Sequence, residues 1–408
     1  MTHLSPIQLK ALADGAQAPS PLARPPRGAH HGLVNPRKKT SRKTPAPTLP
    51  DDLTHGGLRR PTVTINGYSL QLHDGDGFAG DSVSRRAYGE MLDAWRKLYR
   101  RISGLDPLGR KPTAEISKKR LDTLLRRNGK AAAIIAAASE DYAWQLARVV
   151  RRFLAHPSWQ GVRRIVVGGG FRQSLVGELA IDRAAELLYQ RGSRAHLMTL
   201  RHHPDEGGLI GWVHLAPPEV LSSYDGFLAV DIGGTNVRCG IVRPRARKTP
   251  DLTDVRISGL RKWGHAGDDD ATRREDLVQG IAGMLKKLIK QAAAKNLKLA
   301  PFVGVACPGM IAEDGSIAAG AQNLPGNWES PRFNLAQHLG DSLPQLDGHD
   351  MQVRLHNDAV VQGLSELPFM QGVKRWAVLT VGTGLGNASF VNGAAPAAKK
   401  KARAAKKR

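Results

Sequence analysis

Apolar positions change their period several times along the chain, and each change marks an element. Residues Thr62 to Leu72 (TVTINGYSLQL) alternate and are rich in β-formers, which predicts a half-buried strand. The HDGDGFAGD that follows supplies the residues of a polar loop. From Ser84 to Arg101 and from Ser117 to Arg127 apolar residues recur at helical spacing, with Pro107 and Pro112 between the two runs and Asn128-Gly129 as a stop. The Ala-rich stretch Ala131 to Leu154 predicts the longest helix, its apolar face marked by Tyr142, Leu146, Val149, Val150 and Phe153. RRIVVGGG (Arg163 to Gly170) reads as a buried strand ending in three glycines. Ser174 to Arg191 reads as a helix, Ala195 to Leu200 as a short strand, and GGLIGWVHL (Gly207 to Leu215) as a small-residue helix.

The pattern then becomes denser in strands. FLAVDIGGTNVRCGIV (Phe227 to Val242) is two apolar strands around a Gly-rich turn. After a charged loop come an amphipathic helix from Arg274 to Ala294, the strand-turn PFVGVACPGM and the strand-turn VRLHNDAV. AVLTVGTGLG and NASFVNG close the series as two strands joined across a second Gly-rich turn. Glycine turns follow strands at four places, an α/β pattern suited to phosphate.

The chain has 408 residues, room for two domains with sizeable cores. Its formal charge is +24, and the ends carry fourteen of those charges: ten basic residues against Asp14, Asp51 and Asp52 before Pro61, and seven with no acid after Pro396. Both ends are poor in large apolar residues, which predicts a disordered basic arm (1–55) and tail (396–408). KKKARAAKKR could neutralise nucleic-acid phosphates, but it contains no aromatic residue for base stacking, so a solvated tail is the preferred reading. The two cysteines, Cys239 and Cys307, each sit in an apolar strand-like run and support neither a disulfide framework nor a cysteine zinc site. With no apolar run of membrane-spanning length and no signal-peptide core, the expected location is cytoplasmic.

Gly233 and Gly234 let backbone N–H groups approach an anion, and Thr235 and Asn236 complete the turn. Asp231 could hold a Mg²⁺ ion directly or through water. Gly382, Thr383, Gly384 and Gly386 form a second such loop. In HNDA, Asp358 beside Asn357 at a strand end offers either a carboxylate able to take a proton from a hydroxyl or a plain helix N-cap. No Walker Gly-Lys-Ser/Thr occurs, and GGGFRQ lacks the third Rossmann glycine and a following acid for a ribose.

DIGGTN, GVACPGM followed by NLPGNW, HNDA and LTVGTGLG, in that order, resemble the ROK family of sugar kinases and repressors over Phe227 to Gly393. The resemblance implies an actin/hexokinase fold, two ribonuclease-H-like lobes around a central nucleotide cleft. Family chains continue beyond the second phosphate loop into an adenosine-binding segment. Here RRIVVGGGF (163–171) and PDEGGLIGWVHLAP (204–217) are similar to those final segments, yet precede the first. A circular permutation is therefore expected: residues 56–222 with 371–395 as the adenosine-side lobe and 223–370 as the phosphate and sugar lobe. NASFVNG should then share a sheet with TVTINGYSLQL.

By that resemblance Asp358 is the general base. Asn357, Asn323, Pro308 and Gly309 would hold sugar hydroxyls. The two glycine hairpins with Mg²⁺ at Asp231 would hold ATP. Gly168, Gly169 and Gly170, with Gly208 and Gly211 of the 207–211 turn, would flank the adenosine. The family's Glu-x-Gly-His sugar motif and Cys-rich zinc site are not visible, so no zinc is expected; His73, Asp74, Asp76 or Asp81 could replace the former, although turn residues is their simpler reading. The expected activity is ATP-dependent phosphorylation of a hexose-like sugar, as in a glucokinase. Its rivals are a non-catalytic regulator binding sugar or nucleotide, though residues 1 to 60 show no periodic helices for a winged helix, and a kinase that has lost transfer. Expected partners are the sugar and ATP, with no membrane contact; a homodimer is left open.

Overall fold

The computed structural model describes residues 54–74, 77–246 and 248–393, so the basic arm up to residue 53, Asp76 and the tail from 394 lie outside the described residues. The chain runs through β1 (Val63–Tyr68), a small hairpin of β2 (His73–Asp74) and β3 (Gly77–Phe78), and helices α1 (Arg85–Ser103), α2 (Lys118–Arg126) and α3 (Lys130–Ala155). Next come β4 (Arg164–Gly168), α4 (Leu175–Gln190), β5 (His196–Thr199), α5 (Pro204–Ile210) and α6 (Pro218–Ser223). The second half comprises β6 (Gly226–Ile232), β7 (Val237–Arg243), β8 (Arg256–Trp263), α7 (Arg274–Ala294), β9 (Leu299–Cys307) and the short β10 (Met310–Ile311) and β11 (Ile317–Ala319). It ends with α8 (Leu335–Asp341), β12 (Gln352–Asn357), α9 (Asp358–Leu364), β13 (Arg375–Val381) and β14 (Leu385–Asn392).

The helices start where local chemistry satisfies their free N–H groups: Ser84, Ser117 and Ser174 each accept from the backbone N–H three residues on. α1 ends at Gly104, whose φ of 71° is left-handed. α3 turns Tyr142, Leu146, Val149, Val150 and Phe153 inward, as its spacing predicts. The expected 207–215 helix differs: α5 already begins at Pro204, and the chain tightens to a 3₁₀ turn over Gly211–His214. HDGDGFAGD, expected as a loop, forms the β2–β3 hairpin and a 3₁₀ turn over Ala79–Val83.

Two five-stranded sheets result, ordered β8-β7-β6-β9-β12 and β1-β14-β13-β4-β5. In each, the first three strands are mutually antiparallel and the last two run parallel to the third. The sheets therefore share one topology, but the chain enters them differently. In the β6 sheet it starts on the central strand and moves outward. In the other sheet the central strand β13 comes near the end and edge strand β1 comes first. As expected, NASFVNG and TVTINGYSLQL pair: Val63 lies opposite Asn392, and Gly393 N–H donates to Thr62 O at 2.9 Å.

α5 and α9 fill the space between the sheets, in a core that also takes Val166, Val378 and Phe390 from one and Phe227, Ala229 and Phe302 from the other. The fit is close enough to demand small residues: a Cβ on Gly211 would lie 1.7 Å from Val361 O, and one on Gly304 would lie 2.2 Å from the Trp212 indole. Cys239 and Cys307 are buried free thiols on β7 and β9, where burial raises their pKa well above the ordinary value. Among the described residues no helix is long and apolar enough to cross a membrane.

Candidate active-site cleft

A cleft of about 400 Å³ opens where the carboxyl ends of strands from both sheets converge. β6 and β7 are joined by the Gly233–Asn236 turn, closed by Gly233 N–H donating to Asn236 O at 3.0 Å and braced by His265 Nε2, 2.8 Å from Gly233 O. Facing it from the other sheet, the β13–β14 turn is closed by Gly382 N–H to Gly384 O at 2.9 Å. The turns touch: the Thr235 and Thr383 hydroxyls are 2.8 Å apart. Glycine is needed at such a junction, since a Cβ on Gly234 would meet Asn323 at 3.1 Å and Thr383 at 3.6 Å.

Asp358 is the first residue of α9 and Asn357 its N-cap, so the capping role considered for Asp358 belongs to its neighbour. The Asn357 amide is fully committed: Oδ1 accepts from Val360 N–H at 3.2 Å, while Nδ2 donates to Gly309 O at 3.0 Å and Ser69 Oγ at 3.1 Å. That leaves it to lock the Pro308-Gly309 turn rather than to offer free donors. Gly309 has φ 100°, and a Cβ there would lie 2.3 Å from Ala319 O. The Asp358 carboxylate accepts from Ala359 N–H at 2.8 Å and faces the cleft. Burial, reinforced by the Asp231 charge, pushes its pKa up to about 7.

Asp231, on β6, is buried and its pKa is raised for the same first reason, with Arg238 on β7 pulling the other way from 3.3 Å. Arg238 also donates to Asp205 at 2.5 Å, and Lys262 reaches both Asp205 oxygens at 3.0 Å. Burial acts to raise the Asp205 carboxyl, but its two cations outweigh it and hold the pKa below the ordinary carboxylate value.

The cleft brings together Asp231, Gly233, Gly234, Thr235, Asn236, Pro308, Gly309, Asn323, Asn357, Asp358, Gly382, Thr383, Gly384 and Gly386, with Gly169 and Gly170 from the end of β4. It does not bring in Gly168, Gly208 or Gly211. Gly168 lies within β4 under Gln362, Gly208 packs on the Asp231 carboxyl, and Gly211 packs on α9. The expected 207–211 turn is helical, and its glycines serve close packing. Of the candidates to replace the missing sugar motif, Asp81 lines the cleft and His73 does not. Asp76 and the Asp74 side chain lie outside the described residues. Sequence reasoning missed Arg85, Lys118, Arg238 and Lys262 on the cleft wall, because isolated basic residues at helix starts and strand ends carry no motif.

Among the described residues no group of three His, Cys, Asp or Glu side chains is placed to hold a metal. Mg²⁺ asks for less than that, since it commonly takes one or two carboxylates and fills its shell with phosphate oxygens and water, a donor set that Asp231 suits.

No curated protein matches the chain. Among solved structures it is similar to Lmo2764 from Listeria monocytogenes, described as a candidate N-acetylmannosamine kinase, at 23% identity over 41% of this chain and 48% of that one with a TM-score of 0.30. It is similar to a candidate sugar kinase from Cytophaga hutchinsonii at 22% identity over 41% and 48%, TM-score 0.31, and to an exopolyphosphatase from the same organism at 16% over 41% and 51%, TM-score 0.24. The chain thus spans about half the length of these proteins. Residues 227–398, which hold both glycine turns and HNDA, match the model of the ROK family.

Proposed function

We propose that the chain is an ATP-dependent sugar kinase with Asp358 as general base, built on a circularly permuted ROK chain. The adenosine side is residues 56–222 with 371–395, and the phosphate and sugar side is 223–370. One observation carries the reading. A carboxylate whose pKa is pushed up to about 7 stands at the start of α9, in the same cleft as two facing glycine turns. A base poised near the working pH removes a proton most effectively, and phosphoryl transfer otherwise needs mainly positioning and charge neutralisation.

In this mechanism a sugar hydroxyl lies against Asp358, which takes its proton as the oxygen attacks the γ-phosphorus. The new O–P bond forms as the bond to the β-phosphate oxygen breaks, and ADP leaves with that electron pair. Backbone N–H groups of the 233–236 and 382–386 turns hold the phosphates, and the Thr235 and Thr383 hydroxyls lie between them. Asn357 keeps the Pro308-Gly309 turn in place beside the sugar. Mg²⁺ held at Asp231 would neutralise phosphate charge, with Arg238 retained by Asp205 when it releases Asp231.

Asp358→Asn tests the reading in a coupled assay over hexoses, N-acetylhexosamines and small polyols. Turnover should fall by about 10²–10⁴-fold while calorimetric ATP binding persists. Unchanged turnover removes Asp358 as the base. Sugar binding by the wild type with no transfer to any acceptor favours the non-catalytic regulator instead.

A further inference from the structure

Four cations stand on the cleft wall outside the glycine turns: Arg85 at the start of α1, Lys118 at the start of α2, Arg238 on β7 and Lys262 on β8. Two are matched, since Asp205 receives both Arg238 and Lys262, and Asp231 takes the second arm of Arg238. The other two make no ion pair among the described residues. The Arg85 guanidinium has no side-chain hydrogen bond or ion pair among the described residues, and the Lys118 ammonium donates only to the Gly170 carbonyl. Burial lowers the Lys118 pKa, and Arg85, Lys262 and Arg238 push it the same way against the opposing charge of Asp205. Like charges gathered on a concave wall repel one another.

Their anchoring shows what they face. Arg85 N–H donates to Gly382 O at 3.0 Å, which fixes the start of α1 to the β13–β14 turn, and Lys118 is tied to the turn after β4. An anion lying along those two glycine turns therefore runs past both cations. We infer that Arg85 and Lys118 form a cationic clamp for a linear polyphosphate, the phosphate tail of a nucleoside triphosphate or a free polyphosphate chain, on the donor side of the cleft. This rests on the kinase reading and adds to it two donor-binding residues from helices outside the 227–398 segment. Two charge-assisted contacts would also make donor binding depend on salt.

The test measures binding of Mg·ATP and of Mg·tripolyphosphate by calorimetry at two salt concentrations, in the wild type, Arg85→Gln, Lys118→Met and Arg85→Lys, beside phosphotransfer to the sugar panel. Arg85→Gln and Lys118→Met should each raise the Kd for both anions about tenfold or more, with a shallower salt dependence. Arg85→Lys should recover part of the loss. Melting temperatures should stay close to the wild type, which separates lost binding from lost folding. ATP binding far more tightly than tripolyphosphate assigns the clamp to a nucleotide tail, and equal affinity assigns it to free polyphosphate. Wild-type affinity in both neutral variants, or no binding of either anion by the wild type, overturns the clamp. Transfer with an unchanged donor KM in the variants sinks the clamp but not the kinase. Cation-dependent binding without transfer to any sugar does the reverse.

Discussion

The two five-stranded sheets repeat one topology, and they differ in how the chain reaches it. The β6 sheet is written in spatial order from its centre outward, so its turns follow one another as DIGGTN, GVACPGM and HNDA. The β13 sheet is assembled from both ends of the described chain, closed by the Thr62–Gly393 hydrogen bond. Strand order and direction do not depend on where a chain is cut, provided the cut ends lie side by side. Chemistry divides along the same line. The β6 side supplies the carboxylates Asp231 and Asp358, whereas the β13 side supplies the β13–β14 turn, the β4 glycines and the unmatched cations Arg85 and Lys118.

The largest effect expected from breaking this pairing is at the helices between the sheets. Gly211→Ala places a methyl group 1.7 Å from Val361 O, and because φ at 211 is an ordinary helical −56° the cost is purely steric. Destabilisation of about 3 kcal/mol or more in a urea melt is expected, and a wild-type midpoint would show that α5 and α9 are not packed as described.

Next in size is pH. A base with a pKa of about 7 works only when deprotonated, so kcat/KM should fall about tenfold from its plateau by pH 6 and track a single proton. Stability runs the opposite way. An Asp whose folded pKa lies above its ordinary 3.8 binds more protons folded than unfolded, so its contribution declines as pH rises from about 4 to 7. Asp358→Asn should lack that decline and melt higher than the wild type at neutral pH; equal melting profiles across that window would remove the burial argument.

A gentler test rewrites the chain. Joining Gly393 to Thr62 through a short turn and opening the backbone between Ser223 and Asp225 gives both sheets the same chain order while keeping every strand pair. The cost should be modest, about 1–3 kcal/mol, part of it from losing the segment whose Gly56 N–H donates to Leu355 O at 3.0 Å. A product without native circular dichroism would count against the equivalence of the sheets. The smallest effect is expected at Thr383→Val, which removes one hydroxyl contact between the turns and should cost about 1 kcal/mol, read as a small shift in melting temperature.

Much of this was legible in residue order because glycine turns after apolar strands are local chemistry: DIGGTN and GTGLG close their own hydrogen bonds within a few residues. Asn357 shows the limit. HNDA marked it as a site residue, but only the fold reveals that its amide is used by Val360, Gly309 and Ser69, the last 288 positions away in sequence. Gly208 and Gly211 pack closely on Asp231 and on α9, which only the fold shows, because the same residue type permits close approach to a phosphate or to another helix.

The sequence by itself determined most strands and helices and the glycine turns between them, since these depend on apolar period and on backbone freedom at glycine, while the pairing of the two ends of the folded region was expected from the family resemblance. Only the tertiary structure decided that the Asp358 carboxyl is raised by burial and by Asp231, that Arg238 is shared by Asp205 and Asp231, and that Arg85 and Lys118 face the cleft without an ion pair among the described residues. Electrostatic character depends on which charges and how much water surround a group in space, and most of these contacts join residues far apart in sequence and leave no local pattern to read.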